Sequence, residues 1–81
     1  MCLGFPMLVL ERDAFSARCE ARGVERVVSL FLLQHETVSP GDHVMVHAGQ
    51  AVRKMSETEA ASTWDLLEEM LAREAETARD I

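Results

Sequence analysis

The sequence predicts a mainly β fold, a small OB-like β-barrel of about five strands followed by one C-terminal α-helix. Three observations lead there. The front of the chain breaks into short runs that are either continuously apolar or alternate with period two. Turn residues separate those runs. The last third then switches to a helical period behind a helix-start signal. With 81 residues there is room for one domain, 1–81, with the barrel over about 1–55 and the helix over about 56–78.

Residues 5–12 (FPMLVLER) are an apolar run closing in charge, the first strand, and Asp13 breaks the chain tightly after it. Residues 14–22 alternate, with Phe15, Ala17, Cys19 and Ala21 expected inward and Ser16, Arg18, Glu20 and Arg22 outward. Gly23 ends that strand. Val24 to Leu33 reads as a third strand, β-branched at its start and apolar on both faces in its middle, as at the centre of a curled sheet. Residues 34–42 form a loop whose Ser39-Pro40-Gly41-Asp42 carries turn chemistry. From His43 to Ala48 the pattern alternates again, placing Val44, Val46 and Ala48 on one side and His43, Met45 and His47 on the other. Gly49 permits a bend, and Ala51 to Met55 makes a short fifth strand. Ser56 with Glu59 is a capping box, and Ala60, Trp64, Leu67, Leu71 and Ala75, widened by Ala61, Met70 and Ala78, form one apolar stripe.

Composition excludes several function classes. Eight Lys plus Arg stand against fourteen Asp plus Glu, a formal net charge of −6. Residues 1–55 hold six acids and six bases, so the acidity belongs to the C-terminal segment. No basic stripe is left to neutralise phosphates, which argues against nucleic acid, and Phe5, Phe15, Phe31 and Trp64 are expected in the core rather than as stacking platforms. No apolar run reaches the roughly 18 residues of a membrane span, and the first residues lack a signal-peptide pattern, so the cytoplasm is the default expectation. Two cysteines do not make a disulfide scaffold. There is no P-loop, GxGxxG, HExxH or GxSxG pattern, and an autonomous enzyme is not expected.

Cys2 is the most informative position. Its small side chain lets methionine aminopeptidase remove Met1, leaving a thiol and a free α-amine on one residue, a pair able to hold a soft iron or copper centre. His47, beside Ala48 and Gly49, offers an imidazole that could ligate metal, move a proton or hydrogen-bond a thiol. His43 shares its strand face but lies about 13 Å away along the strand, too far for one ion, and His35 sits in a loop. Cys19 has the inward phase and reads as a small core residue with an inert thiol.

The opening Met1-Cys2-Leu3-Gly4-Phe5-Pro6, the strand G-V-E-R-V-V-S-L from Gly23, and the segment Gly41-Asp42-His43-Val44-Met45-Val46-His47-Ala48-Gly49-Gln50-Ala51 closely resemble the HypC/HupF family of hydrogenase-maturation chaperones. That family begins MCxGxP, continues with G-x-x-R-x-V-x-L and GD-x-V-x-VH-x-G-x-A, and ends in a helix containing E-A, here Glu59-Ala60. The resemblance covers nearly the whole chain. It implies an OB-like barrel that binds the scaffold protein HypD and the [NiFe]-hydrogenase large-subunit precursor and carries iron transiently as an Fe(CN)₂CO unit, with no permanent cofactor. It further implies that Cys2 is the iron and partner residue, that Leu3, Gly4 and Pro6 contact partners, and that His47 falls on the family's histidine. Two positions depart from the pattern: Met7 replaces the usual Gly after Pro6, and Gln50 stands where an aromatic is common. The competing readings are an OB-type module for a small ligand or oligonucleotide, and a thiol enzyme using Cys2 with His47 as base, for which no third group is evident.

Overall fold

The structure, a computed structural model, describes residues 4–79 of the chain. Five strands and one helix follow in order: β1 (Phe5–Arg12), β2 (Ser16–Ala21), β3 (Val24–Ser29), β4 (His43–His47), β5 (Gln50–Met55) and α1 (Glu57–Arg79). A 3₁₀ turn at Phe31–Leu33 lies between β3 and β4. The strands close into a barrel in the order β1-β2-β3-β5-β4. The predicted fold class is the observed one.

Two hairpins turn in the same way. Arg22-Gly23 and Ala48-Gly49 all have φ between 53° and 81°, the doubly left-handed geometry of a two-residue turn whose twist suits antiparallel strands. Glycine meets that demand at the second position of each pair. Irregular register supplies the curl: the pairing of β1 with β2 shifts between Val9 and Glu11, and that of β4 with β5 shifts between Met45 and Val46. Each shift bends and twists the ribbon, which lets five short strands close.

The core is drawn from the inward phase of each strand. Val9, Ala17, Cys19, Val28, Val44 and Ala51 are all but sealed from solvent. Leu30, Leu33 and Val38 come from the segment after β3 and plug one end of the barrel. That segment is pinned by polar contacts: the Arg12 guanidinium donates to the Val38 carbonyl at 2.8 Å and Lys54 Nζ to the Thr37 carbonyl at 2.7 Å. Asp42 accepts from the Ser39 backbone N–H at 2.8 Å, closing the predicted Ser39–Asp42 turn. That bond first, and then Lys54 at 3.4 Å, holds the Asp42 carboxyl below the usual carboxylate range.

Several sequence expectations need correction. The third strand stops at Ser29 instead of Leu33, because the chain turns inward to plug the barrel and Leu30 N–H is taken by the Phe15 carbonyl at 2.8 Å. Phe15 lies in the β1–β2 connection, outside the alternation, and is 69% exposed. Phe5 and Phe31 are exposed as well, so of the four aromatics assigned to the core only Trp64 is substantially covered. Ala48 is a turn residue, not an inward one.

The capping box forms as predicted: Glu59 N–H donates to Ser56 Oγ at 3.0 Å and Ser56 N–H to Glu59 Oε1 at 2.9 Å. The second bond is the main reason the Glu59 carboxyl sits below its ordinary range. Among the described side chains, α1 rests on the barrel through Ala60, Trp64 and Leu67 of its first turns. Ala61, Met70 and Leu71 of the predicted stripe are exposed; the side chains of Ala75 and Ala78 lie outside the described ones. The long axis of the molecule, 47 Å against 22 and 21 Å, reflects a helix that outruns its support. Among the described residues no helix is long and apolar enough to cross a membrane.

Candidate functional site: the seat of the N-terminal motif

The start motif enters the fold at Gly4. Cys2 and Leu3 lie outside the described residues, while Gly4 and Pro6 fall where the packing is tightest. A Cβ on Gly4 would stand 2.6 Å from Met45 Sδ, 3.1 Å from Met45 Cγ and 3.3 Å from the Val46 carbonyl oxygen. The backbone can approach β4 this closely only because residue 4 has no side chain. Pro6 is fully buried, and its ring costs no bond to β4 because Val9 bonds that way and, by alternation, residue 6 faces the other edge, where its carbonyl accepts from Trp64 Nε1–H at 2.8 Å.

Trp64 ties the motif to the helix. Its ring stacks on Phe5 at 5.8 Å between centroids and 23° between planes, and the Arg22 guanidinium lies 4.8 Å over its centre. Arg22 is held there by Glu68 at 2.9 Å. The helical-period apolar stripe along α1 predicted Trp64 as a packing residue. Its second role, a hydrogen bond spanning 58 positions of sequence, left no mark in any local pattern.

His47 ends β4, half-buried, with Gln50 as its ladder partner across the turn. On the other side β1 pairs Phe5 with Val46, so the next step along that ladder brings Gly4 level with His47. The two sequence-predicted residues therefore share one end of the β1–β4 ribbon. His43 pairs with Leu8 at the far end of β4, and the exposed His35 stands 3.6 Å from Glu36. Among the described residues no three of His, Cys, Asp and Glu come close enough to hold a metal ion. Cys19 is sealed in the core, where burial pushes its thiol pKa up and leaves it protonated and inert.

Beside this seat runs an apolar groove of about 650 Å³ that the sequence reading did not anticipate. It opens because β3 joins β5 through a single pair, Ser29 with Gln50, and diverges from the β4–β5 turn before that point. Phe5, Val24, Val27 and Leu71 supply its exposed apolar walls together with the half-buried Trp64, and Val28 and Val46 its floor.

With this geometry in place, the likeness to known proteins is direct. The profile of the HupF/HypC family matches residues 1–67. The chain belongs to the HupF/HypC family. It is 47% identical over 60 residues to the hydrogenase expression/formation protein HupF of Bradyrhizobium diazoefficiens, covering 74% of this chain and 59% of that protein. It is 37% identical over 67 residues to HupF of Rhizobium leguminosarum bv. viciae, covering 83% and 66%. To the hydrogenase maturation factor HypC of Helicobacter hepaticus it is 39% identical over 72 residues, covering 88% and 83%. The chain thus spans less than two thirds of the two HupF proteins and most of the HypC protein. The matched stretch contains the whole barrel, the motif seat and the supported turns of α1.

Proposed function

We propose that this protein is a [NiFe]-hydrogenase maturation chaperone that uses Cys2 to engage HypD and then the large-subunit precursor, handing on iron as the Fe(CN)₂CO unit. It is a carrier, not an enzyme. Family membership over residues 1–67 is the observation that carries the reading. The seat of the motif supports it. Two residues of chain reach at most about 7 Å, so the Cys2 backbone is tethered close to Gly4 and thereby to the end of β4 that bears His47. A rigid anchor at Gly4 to Pro6 lets a short leader present sulfur to another protein without the barrel moving.

The iron unit is cargo, and a thiolate with an amine or imidazole suits it as a soft, partial ligand set. In this reading Cys2 provides the sulfur, His47 a second donor, and the partner completes the coordination. In this reading Leu3 and Gly4 meet the partner beside Cys2, and the buried Pro6 positions them from within the barrel. The oligonucleotide alternative gains exposed rings at Phe15 and Phe31, but Arg18 on the following strand is already bound by Glu11 at 2.9 Å and by Glu25, which leaves less free positive charge for phosphates.

The test is co-purification with HypD. Cys2→Ala is expected to fold as the parent does and to lose the complex, because a residue ahead of the first strand contributes little buried area. Full retention of the complex removes Cys2 from the mechanism.

A further inference from the structure

Strand β3 carries an unfinished ladder. The Arg22-Gly23 turn makes Ala21 and Val24 the first pair of the β2–β3 hairpin, followed by Cys19 with Arg26 and Ala17 with Val28. In a hairpin closed by a two-residue turn, those are the pairs that exchange both backbone bonds, so Glu25, Val27 and Ser29 aim their N–H and C=O groups at the opposite edge. Ser29 confirms the phase: its N–H donates across the seam to the Gly49 carbonyl at 2.9 Å. No backbone partner meets Glu25 or Val27 there among the described residues. Val27 therefore presents a donor and an acceptor, and Glu25, two positions away along the rim of the apolar groove, presents a donor beside a carbonyl that already accepts from the Arg26 guanidinium at 3.1 Å.

The side chains along this edge define what fits it. Val24, Val27 and Val28 line the groove together with Phe5, Trp64 and Leu71. Arg26 lines it too, and among the described residues its guanidinium meets only the Glu25 carbonyl, at 3.1 Å, with no carboxylate in reach. Arg22, by contrast, is neutralised by Glu68. The groove thus offers apolar walls and one uncompensated positive charge in a protein of net charge −6.

A second copy of this chain does not suit the edge. Two-fold antiparallel pairing sets one residue of β3 opposite itself, and centring on Glu25 or Arg26 opposes like charges. Centring on Val27 brings Ser29 opposite Glu25, although the Ser29 N–H is already committed to Gly49. We infer that the β3 edge from Val24 to Val28 is a docking site for an extended segment of a partner protein, one that adds a strand to the barrel, seats alternate apolar side chains in the groove and places a carboxylate against Arg26. Main-chain bonds supply the affinity, and the groove and Arg26 supply the selectivity. The inference goes beyond the Cys2 reading, since Cys2→Ala leaves this edge intact and the two can fail separately.

The full chain, isotopically labelled, is titrated with short capped peptides of alternating Val and Thr that carry Glu, Gln or Lys at the centre. The Glu peptide is expected to shift the Glu25 and Val27 amides and the Trp64 indole, and to bind about tenfold more tightly than the Lys peptide at low salt. Arg26→Glu reverses that order. Val27→Pro removes one outward N–H that the β2 ladder does not use, so it abolishes binding while the core resonances of Val28 and Leu33 stay dispersed. The proposal is overturned if none of the peptides binds at about 1 mM, if shifts map away from β3, or if Glu and Lys peptides bind equally. It is likewise overturned if sedimentation shows a dimer that Val27→Pro dissolves, because the edge then pairs two copies of the chain.

Discussion

The two ends of β3 carry similar residues and meet opposite fates. At its end, Val28 and the following Leu30 are sealed at 1% and 2% exposure. Near its start, Val24 stands 44% exposed although it shares the inward phase of Val28. Residue type and strand phase do not separate Val24 from Val28; backbone pairing does, whereas Val27, 71% exposed, faces outward beside Arg18. Where β3 meets β5 and the 3₁₀ turn closes over the barrel, apolar side chains find a core. Where the strand diverges from the β4–β5 turn, the same kind of side chain lines an open groove. A hydrophobic residue in a small barrel is a core residue only if both edges of its strand are closed.

The largest effect that separates the two regions is at the plug. Leu33→Ala is expected to cost about 2–5 kcal/mol by denaturant unfolding, whereas Val27→Ala stays within about 0.5 kcal/mol. Equal costs would mean that the groove is part of the core. The motif seat comes next. Gly4→Ala presses a methyl into Met45 and is expected to cost about 1–3 kcal/mol, and most of that cost should vanish on a Met45→Ala background, as a double-mutant cycle would measure. Additive costs would place the strain elsewhere.

A smaller effect is expected at the helix. Trp64→Phe keeps a ring against Phe5 but loses the bond to the Pro6 carbonyl, for about 1 kcal/mol by thermal or denaturant unfolding. The smallest concerns acid. Asp42 is held below its ordinary value of 3.8, so the stability it adds is present above that pH and drains away as pH falls through its lower folded value. Asp42→Asn should flatten the acid limb of the stability curve below about pH 4 and leave the neutral region parallel to the parent.

Much of this architecture was legible in the residues. Period-two alternation located β2 and β4, turn residues marked the loop at 39–42, and the capping box located the start of α1. The inward phase of Cys19, Val44 and Val46 was also readable. What local pattern could not reveal is where a sheet closes. Phe15 looked like a core residue because it shares the phase of Ala17 and Cys19, and Phe31 because it extends an apolar run, yet each belongs to a connection. Leu71 continues the helical stripe after the barrel beneath it has ended. At the site, the motif named Gly4, Pro6 and His47 but not their neighbours: Met45, Trp64 and the open edge of β3 meet them only through pairing distant in sequence.

The proposed function turns on a free sulfur at residue 2 of the mature protein. Intact mass measurement of the denatured chain, isolated from its complex with HypD, reads that terminus directly. The expected mass lacks Met1 and carries no modification on the cysteine that follows. A chain that keeps Met1 or a blocked amine while still forming the complex would contradict the proposal.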